Sequence, residues 1–182
     1  SGDGFFQTNP EVAEKLFAAV TAEIGRVSGP VIDAYCGSGA MACHLAREGN
    51  GVFGFETDEP AIDNARAAAQ LNALDEVRFE QGKVEQLLPR FVGTHEAPAA
   101  IVLDPPRRGC HEKVLQTIAP QRIPHIVYVS CHPGTLARDI ERLTSRGYQP
   151  TCLKAFDMFP QTCHIELMCS LQHTDQLPHT QS

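Results

Sequence analysis

Long apolar runs are absent from this chain, and so are the cysteine spacings typical of metal sites. No stretch of the 182 residues approaches the roughly 20 apolar residues of a membrane-spanning helix, and the first residues lack the apolar centre of a signal peptide. The seven cysteines are an odd number without a Cys-x-x-Cys pair. We therefore expect no membrane attachment, no metal site and no disulfide framework, and we expect the reducing cytoplasm as the location.

Positive charge is also scarce, because 15 lysines and arginines face 22 acidic residues and give a net charge of −7. There is no long basic stretch that could hold nucleic acid by bulk electrostatics alone. A local basic patch such as Arg107-Arg108, or a binding region outside this sequence, stays compatible with that charge.

What the chain does contain is a regular alternation of short apolar runs and amphipathic stretches. The runs predict strands at residues 31–33, 52–56, 77–81, 99–103, 126–130, 151–157 and 165–171. Helical patterns separate the first five, so the sequence predicts an α/β fold with a mostly parallel seven-stranded sheet, helices on both faces and an antiparallel hairpin at the end. We expect one domain over residues 1–172 and a polar, disordered tail over 173–182.

A glycine-rich turn follows the first predicted strand, in the pattern Asp33-x-x-Cys36-Gly37-x-Gly39. Glycines in such a turn allow the backbone to approach a ligand closely. Glu56 ends the next strand, about 20 residues further on, where an acid can accept hydrogen bonds from both hydroxyls of a ribose. The arrangement therefore predicts a nucleotide cofactor, with Asp33, Gly37, Gly39 and Glu56 in its site.

Two cofactors are compatible with this turn. The segment Gly37-x-Gly39-x-x-Ala42 also matches the dinucleotide fingerprint, so a nicotinamide-dependent oxidoreductase is an alternative. Asp33, however, occupies the strand end where the first glycine of that fingerprint usually lies, and a carboxylate there would repel a pyrophosphate. A cationic ligand such as S-adenosylmethionine fits an acid at this position better.

The stretch from Ile126 to Pro133 places a thiol at the end of a buried strand. We interpret Pro133 and Gly134 as breaking the strand, and residues 135–143 as a helix. Ligands bind outside the carboxyl ends of strands in such sheets, and a helix amino terminus favours a thiolate. Cys131 is therefore either a nucleophile or, as most free cysteines are, a structural residue.

Asp104, Cys131 and the segment 156–166 are expected to converge at the same edge of the sheet. A thiol, a carboxylate and a bound methyl donor together indicate one reaction class. Carbon 5 of uracil is too weak a nucleophile to take a methyl group directly, but addition of a thiolate to carbon 6 makes it nucleophilic. A base then removes the carbon-5 proton and the thiolate is eliminated.

At these positions the chain resembles the tRNA and rRNA uracil-C5 methyltransferase family, from about Phe6 to Leu171. The motifs that carry the resemblance are Phe6-Gln7-x-Asn9, the glycine turn, Asp104-Pro-Pro-Arg107-x-Gly109, Tyr128-x-Ser130-Cys131-x-Pro133-x-Thr135-Leu-Ala-Arg138-Asp139, and Asp157-x-Phe159-Pro160-Gln161-Thr162-x-His164-x-Glu166. The last two stretches together are highly specific.

The resemblance implies a Rossmann-like class I methyltransferase fold that uses S-adenosylmethionine. It implies Cys131 as the nucleophile and Glu166 as the base, and it implies that Arg107 and Arg138 order the site. The cofactor contacts that it implies are Gln7, Tyr35, the turn from Gly37 to Gly39, Glu56 and Asp104. It also implies a structured RNA substrate, tRNA or rRNA, with a flipped-out uridine, and an RNA-binding region outside this sequence; we expect a monomer.

Three positions depart from the family pattern. His132 replaces the usual Asn after the cysteine, Lys83 replaces an amide or acid expected near the adenine, and Ala40 replaces a commonly polar residue after the second glycine. None of them removes the nucleophile or the base. They keep open a further alternative, a cofactor-bound RNA-binding module without catalytic turnover.

Overall fold

The computed structural model describes residues 10–157 and 165–176, and everything said below of the structure concerns these residues. The seven strands are β1 (Val31–Ala34), β2 (Val52–Glu56), β3 (Val77–Gln81), β4 (Ala100–Leu103), β5 (His125–Ser130), β6 (Tyr148–Asp157) and β7 (Ile165–His173). The six α-helices are α1 (Pro10–Ile24), α2 (Ala40–Arg47), α3 (Glu59–Leu71), α4 (Val84–Thr94), α5 (Glu112–Gln121) and α6 (Pro133–Thr144).

All seven strands form one sheet in the order β3-β2-β1-β4-β5-β7-β6. The strands β1 to β5 are parallel, and β7 lies antiparallel between β5 and β6. This confirms the predicted mostly parallel sheet with an antiparallel hairpin at the end. The strand order reverses at β1, between β2 and β4, which is the place where ligands bind in open α/β sheets.

The central strand β4 is apolar at every position because both faces of the sheet are covered. Along β4, Ile101 and Leu103 belong to one core cluster, which also contains residues of α4, α5 and α6. Ala100 and Val102 belong to a second cluster, with residues of α1 and α2. Successive side chains of a strand point to opposite faces, so two helical layers need a continuous apolar run rather than an alternating one.

Helix α6 begins earlier than the sequence prediction. We expected Pro133 and Gly134 to lie outside the helix, but α6 starts at Pro133. Proline is tolerated in the first turn, where its missing N–H would have no helical acceptor and its fixed φ suits the helix. The helix therefore begins two residues after Cys131.

The boundary predicted at residue 172 falls near the end of the last strand. Strand β7 continues through His173, and a single 3-10 turn follows at Thr174–Gln176. His173 is buried because its ring packs edge-on against Tyr148, with ring centroids 5.1 Å apart. The remaining residues of the predicted tail, 177–182, lie outside the described part of the chain.

Within the described ranges, no helix combines the length and the apolar character that a membrane crossing requires.

Candidate active site

The glycine turn connects the end of β1 to α2 through three residues with positive φ: Tyr35 at 66°, Gly37 at 51° and Gly39 at 79°. A Cβ on Gly39 would lie 2.7 Å from Cβ of Ala65 and from Cζ of Phe79, so this glycine is needed for packing against the core. A Cβ on Gly37 would meet no atom within 4 Å. Gly37 is therefore the position where the backbone faces open space and a ligand can approach.

Asp33 is buried at the end of β1, and its Oδ2 atom has no hydrogen-bond partner in the described part of the protein. Burial raises the pKa of Asp33 to about 7; a bond from the Ala42 amide opposes the rise, and the charge of Glu56 adds to it. A buried polar atom without a partner is costly, so the site is poised for a ligand that brings a donor or a positive charge.

Glu56, at the end of β2, holds the turn together as well as facing the cavity. Its Oε2 accepts from the Gly37 amide at 3.2 Å, and its Oε1 accepts from the amides of Thr57 at 2.5 Å and Asp58 at 3.0 Å. Sequence reasoning missed this structural role. Any substitution of Glu56 therefore acts on the turn as well as on a ligand.

A cavity of about 520 Å³ opens beside the turn at the carboxyl end of the sheet. Its lining comprises Tyr35, Glu56, Thr57, Lys83, Val84, Glu85, Asp104, Pro106 and Arg108. Three of the predicted cofactor residues thus line it: Tyr35, Glu56 and Asp104. Asp33, Gly37 and Gly39 lie in the turn beside it, and Gln7 lies outside the described residues.

Asp104 follows β4, in a segment that is exposed at the mouth of the cleft. Crowding by protein atoms raises the pKa of Asp104, and the charges of Glu166 and Asp33 raise it further. Water in the open cleft screens these effects. The carboxyl groups of Asp33, Asp104 and Glu166 thus form a cluster. The charges of its members repel one another, so the cluster disfavours an anionic ligand and favours a cationic one.

The phenol of Tyr35 adds a second unpartnered group, because its buried hydroxyl oxygen lacks a hydrogen-bond partner within the described ranges. Tyr35 also adopts the left-handed backbone conformation that non-glycine residues rarely take, and such strain clusters at functional sites. Volume, acidic lining and unpartnered polar atoms together fit a ligand of the size and positive charge of S-adenosylmethionine.

Cys131 is exposed and lies directly between β5 and α6. His132 is the N-cap of α6, and its Nδ1 atom accepts a hydrogen bond from the Thr135 amide at 3.2 Å. An Asn side chain caps helices in the same way. The departure at His132 therefore preserves the helix start that holds Cys131 at the edge of the sheet.

The strand register brings Glu166 to the same place. In the antiparallel pair, Ser130 of β5 lies opposite Leu167 of β7, so the next residues along, Cys131 and Glu166, lie at the same end of this pair. Burial raises the pKa of the half-buried Glu166, while the charge of Arg107 opposes that rise. The neighbouring motif residues from Phe159 to His164 lie outside the described part of the chain.

Asp139 has a structural role beside the site that the sequence did not reveal, because it joins α6 to β5 and to the loop after β4. It is fully buried in α6, and its Oδ2 atom accepts from the Cys110 amide at 2.8 Å and from the Tyr128 hydroxyl at 2.7 Å. Arg138 donates to its Oδ1 atom at 2.9 Å. The available signal was a carboxylate on the apolar face of α6, between Leu136 and Leu143.

The comparisons with known proteins concern the fold and the family of this chain. The likeness to a precorrin-6y C5,15-methyltransferase structure from Geobacter metallireducens, with a TM-score of 0.71 and 13% identity over 87% of this chain and 88% of that one, concerns the fold alone. The fold class is that of S-adenosylmethionine-dependent class I methyltransferases, on the basis of the family match and of a second solved structure of higher identity. Residues 1–174 match the family described as tRNA (uracil-5-)-methyltransferase, and the chain belongs to that family.

Individual relatives support the same assignment. An uncharacterized RNA methyltransferase of Listeria monocytogenes is 43% identical over 172 residues, which cover 94% of this chain and 38% of that protein. The structure of a Pyrococcus abyssi tRNA (uracil-54, C5)-methyltransferase in complex with S-adenosyl-L-homocysteine superposes with a TM-score of 0.81 at 33% identity, over 93% of this chain and 40% of that one. The chain thus spans about two fifths of the length of these relatives.

Proposed function

We propose that this chain is the catalytic domain of an enzyme that methylates carbon 5 of a uridine in tRNA or rRNA, with S-adenosylmethionine as methyl donor. The observation that carries the proposal is the strand register that puts the exposed Cys131 and the half-buried Glu166 at one end of the β5–β7 pair. The cavity at the same edge of the sheet supplies room for the cofactor. Family membership supports the same reaction.

The residues that would hold the cofactor are those of the cavity and the turn. Tyr35, Glu56 and Asp104 line the cavity, and Gly37 leaves space at the backbone. The carboxylates of Asp33 and Asp104 suit a ligand that carries positive charge. When bound, S-adenosylmethionine supplies an electrophilic methyl group. Lys83 also faces this cavity, where the family has an amide or acid, so its contact with the ligand differs from the usual one.

Cys131 would then act as the nucleophile and Glu166 as the general base. The Cys131 thiolate forms a bond to carbon 6 of the uracil, and the ring electrons move so that carbon 5 becomes a nucleophile. After carbon 5 has gained the methyl group, Glu166 takes its remaining proton as a general base. The bond from sulfur to carbon 6 then breaks, which regenerates the thiolate and the aromatic ring.

The substrate base has to leave its stack for this chemistry, because the thiol attacks a ring face that stacking covers. Two segments near the start of α6 carry exposed residues: residues 106–108 after β4, and residues 132–134, which directly follow Cys131. Thr135 joins the segments by donating a hydrogen bond to the Arg107 carbonyl at 3.1 Å. We propose that this surface, with Arg107 and Arg108, meets the RNA backbone around the flipped uridine.

The nicotinamide alternative has less support from the geometry. Asp33 has an unpartnered carboxylate oxygen at the end of β1, where the pyrophosphate of a dinucleotide would bring further negative charge. A non-catalytic RNA-binding module would need no exposed thiol beside a half-buried carboxylate. The proposed methyl transfer explains both features.

The experiment uses the full-length protein, labelled S-adenosylmethionine and unmodified RNA. Cys131→Ser is expected to abolish label transfer and to leave cofactor affinity unchanged in calorimetry, because Cys131 does not line the cofactor cavity. Cys152→Ser, on the edge strand β6, is the matched control and is expected to transfer label normally. Normal transfer by Cys131→Ser would contradict the covalent route, and absence of transfer by the wild-type protein would contradict the proposed activity.

A further inference from the structure

The loop after β4 is held against α6 by a set of hydrogen bonds that centre on one arginine. Arg138 donates from Nη2 to the Arg108 carbonyl at 2.9 Å and from Nε to Asp139 at 2.9 Å. Asp139 in turn accepts from the Cys110 amide at 2.8 Å. Arg138 and its neighbour thus fix the backbone on both sides of Gly109.

Gly109 shows how close this approach is. It has a φ of 81°, and a Cβ at this position would overlap Nη2 of Arg138 and Oδ2 of Asp139. No side chain fits between the loop and the two partners. The segment from Arg107 to Cys110, called the 107–110 segment below, therefore has a position that α6 determines.

The same segment carries Arg107, whose carbonyl accepts a hydrogen bond from the Thr135 hydroxyl at 3.1 Å near the start of α6, at the edge of the sheet where Glu166 lies. The positive charge of Arg107 opposes the rise in the pKa of Glu166.

In the described part of the chain, the other charged or titratable groups near Glu166 are Asp104 on the same loop, Cys131 after β5 and Asp157 at the end of β6, and none of these three is a cation. The ammonium group of Lys154, two pairs further along β6, is bound to Glu23 at 3.1 Å. The position of the 107–110 segment thus decides how close the positive charge of Arg107 lies to Glu166.

We propose that Arg138 is a positioning residue, which holds the 107–110 segment against α6 and thereby keeps Arg107 beside Glu166. For its catalytic consequence the inference rests on the proposed role of Glu166 as base, because a nearby cation keeps that carboxylate ionised and able to take a proton. The coupling itself requires neither RNA nor cofactor, so it can be tested separately from the reaction.

Helix α6 offers a matched control one turn further on. Arg142 also approaches Asp139, at 3.5 Å, but its other partner is Glu112 of α5 at 3.0 Å. It makes no hydrogen bond to the 107–110 segment. Arg138→Gln and Arg142→Gln therefore remove the same charge from the same helix, and only the first releases the loop.

The measurement is the pKa of Glu166, from a carbon-detected NMR titration of its side-chain carboxyl group in this chain. Arg107→Gln is expected to raise that pKa, and Arg138→Gln is expected to raise it in the same direction, by at least about 0.5. Arg142→Gln is expected to leave it at the wild-type value. In the full-length enzyme, Arg138→Gln should shift the acidic limb of the pH profile of kcat to higher pH.

Three results would overturn the proposal: an unchanged titration in Arg138→Gln, an equal shift in Arg142→Gln, or no shift in Arg107→Gln. If Arg138→Gln does not fold, Arg138→Lys replaces it, because one ammonium group keeps the charge beside Asp139 but lacks the fork that reaches two partners. A wild-type pKa in Arg138→Lys would then count against the proposal. Absence of any methyl transfer by the full-length enzyme would contradict the proposed function. It would not affect the conclusion that the titration gives on the position of Arg107.

Discussion

The buried carboxylate of Asp33 destabilises the ligand-free fold but favours the binding of a cationic ligand. Its carboxyl group is buried, one of its oxygens has no partner, and its pKa is raised to about 7. A group with a raised folded-state pKa stabilises the fold at low pH, where it is protonated, and loses that contribution as the pH rises through the folded-state pKa. A bound cation would offset the cost.

We therefore expect Asp33→Asn to stabilise the ligand-free protein strongly at about pH 8 and to a smaller extent at about pH 5, because the cost of Asp33 grows between its unfolded-state pKa of about 3.9 and its folded-state pKa of about 7. Asn removes the buried charge but still accepts the hydrogen bond from the Ala42 amide. Thermal unfolding at both pH values measures the effect, and calorimetry should show weaker cofactor binding by the variant. A stability difference that is the same at both pH values would contradict this explanation.

At the scale of elements, the start of α6 decides where the thiol lies. His132 caps the helix through its Nδ1 atom, Pro133 occupies its first turn, and Cys131 directly precedes both. The cap satisfies a backbone N–H that would otherwise lack a partner. A residue that looked like a departure from the family pattern is thus compatible with the same local structure.

We expect His132→Ala to lower the free energy of unfolding by about 1 kcal/mol, as the loss of an N-cap usually does. His132→Asn should remain close to the wild type, since an amide oxygen accepts the same hydrogen bond. Chemical denaturation of the three proteins makes the comparison. If the Ala and Asn variants unfold at the same denaturant concentration, the cap does not stabilise α6.

The strands could be predicted from the sequence because helices on both faces require continuous apolar runs. The start of α6 could not, since Pro133 and Gly134 are common both in turns and in first helical turns. The hydrogen bonds from Arg138 to the Arg108 carbonyl and from the Cys110 amide to Asp139 join residues about 30 positions apart. Local patterns contain no information on such partners, which depend on how α6 packs against the loop after β4.

At the scale of the whole molecule, the placement of β7 creates the candidate site. The last strand inserts between β5 and β6, and this order brings Glu166 to the end of the strand that leads to Cys131. The family resemblance of the sequence motifs predicted that Cys131 and Glu166 act together. Their proximity depends on the order of the strands in the sheet, which periodicity alone does not determine.

Charge is the second property of the whole molecule with a testable consequence. The net charge is −7, and the chain spans 38% of its Listeria relative. We expect this chain alone to bind tRNA or rRNA weakly, with a dissociation constant of about 10⁻⁶ M or higher that increases steeply with salt. Filter binding at several salt concentrations, with the full-length protein as the control, measures this. Tight binding that is insensitive to salt would contradict it.

The central claim is that Cys131 and Glu166 perform covalent catalysis on a uracil, and trapping the intermediate tests it most directly. Glu166→Gln keeps the size of the side chain but removes the base. Thiol addition and methyl transfer can then proceed, while removal of the carbon-5 proton cannot.

The full-length Glu166→Gln protein, incubated with S-adenosylmethionine and unmodified RNA, should accumulate a protein–RNA adduct that survives denaturing electrophoresis. The adduct should carry the methyl label, and it should be absent with the double variant that combines Glu166→Gln and Cys131→Ser. Normal turnover by Glu166→Gln, or a stalled reaction without any adduct, would contradict the assignment of Glu166 as the base.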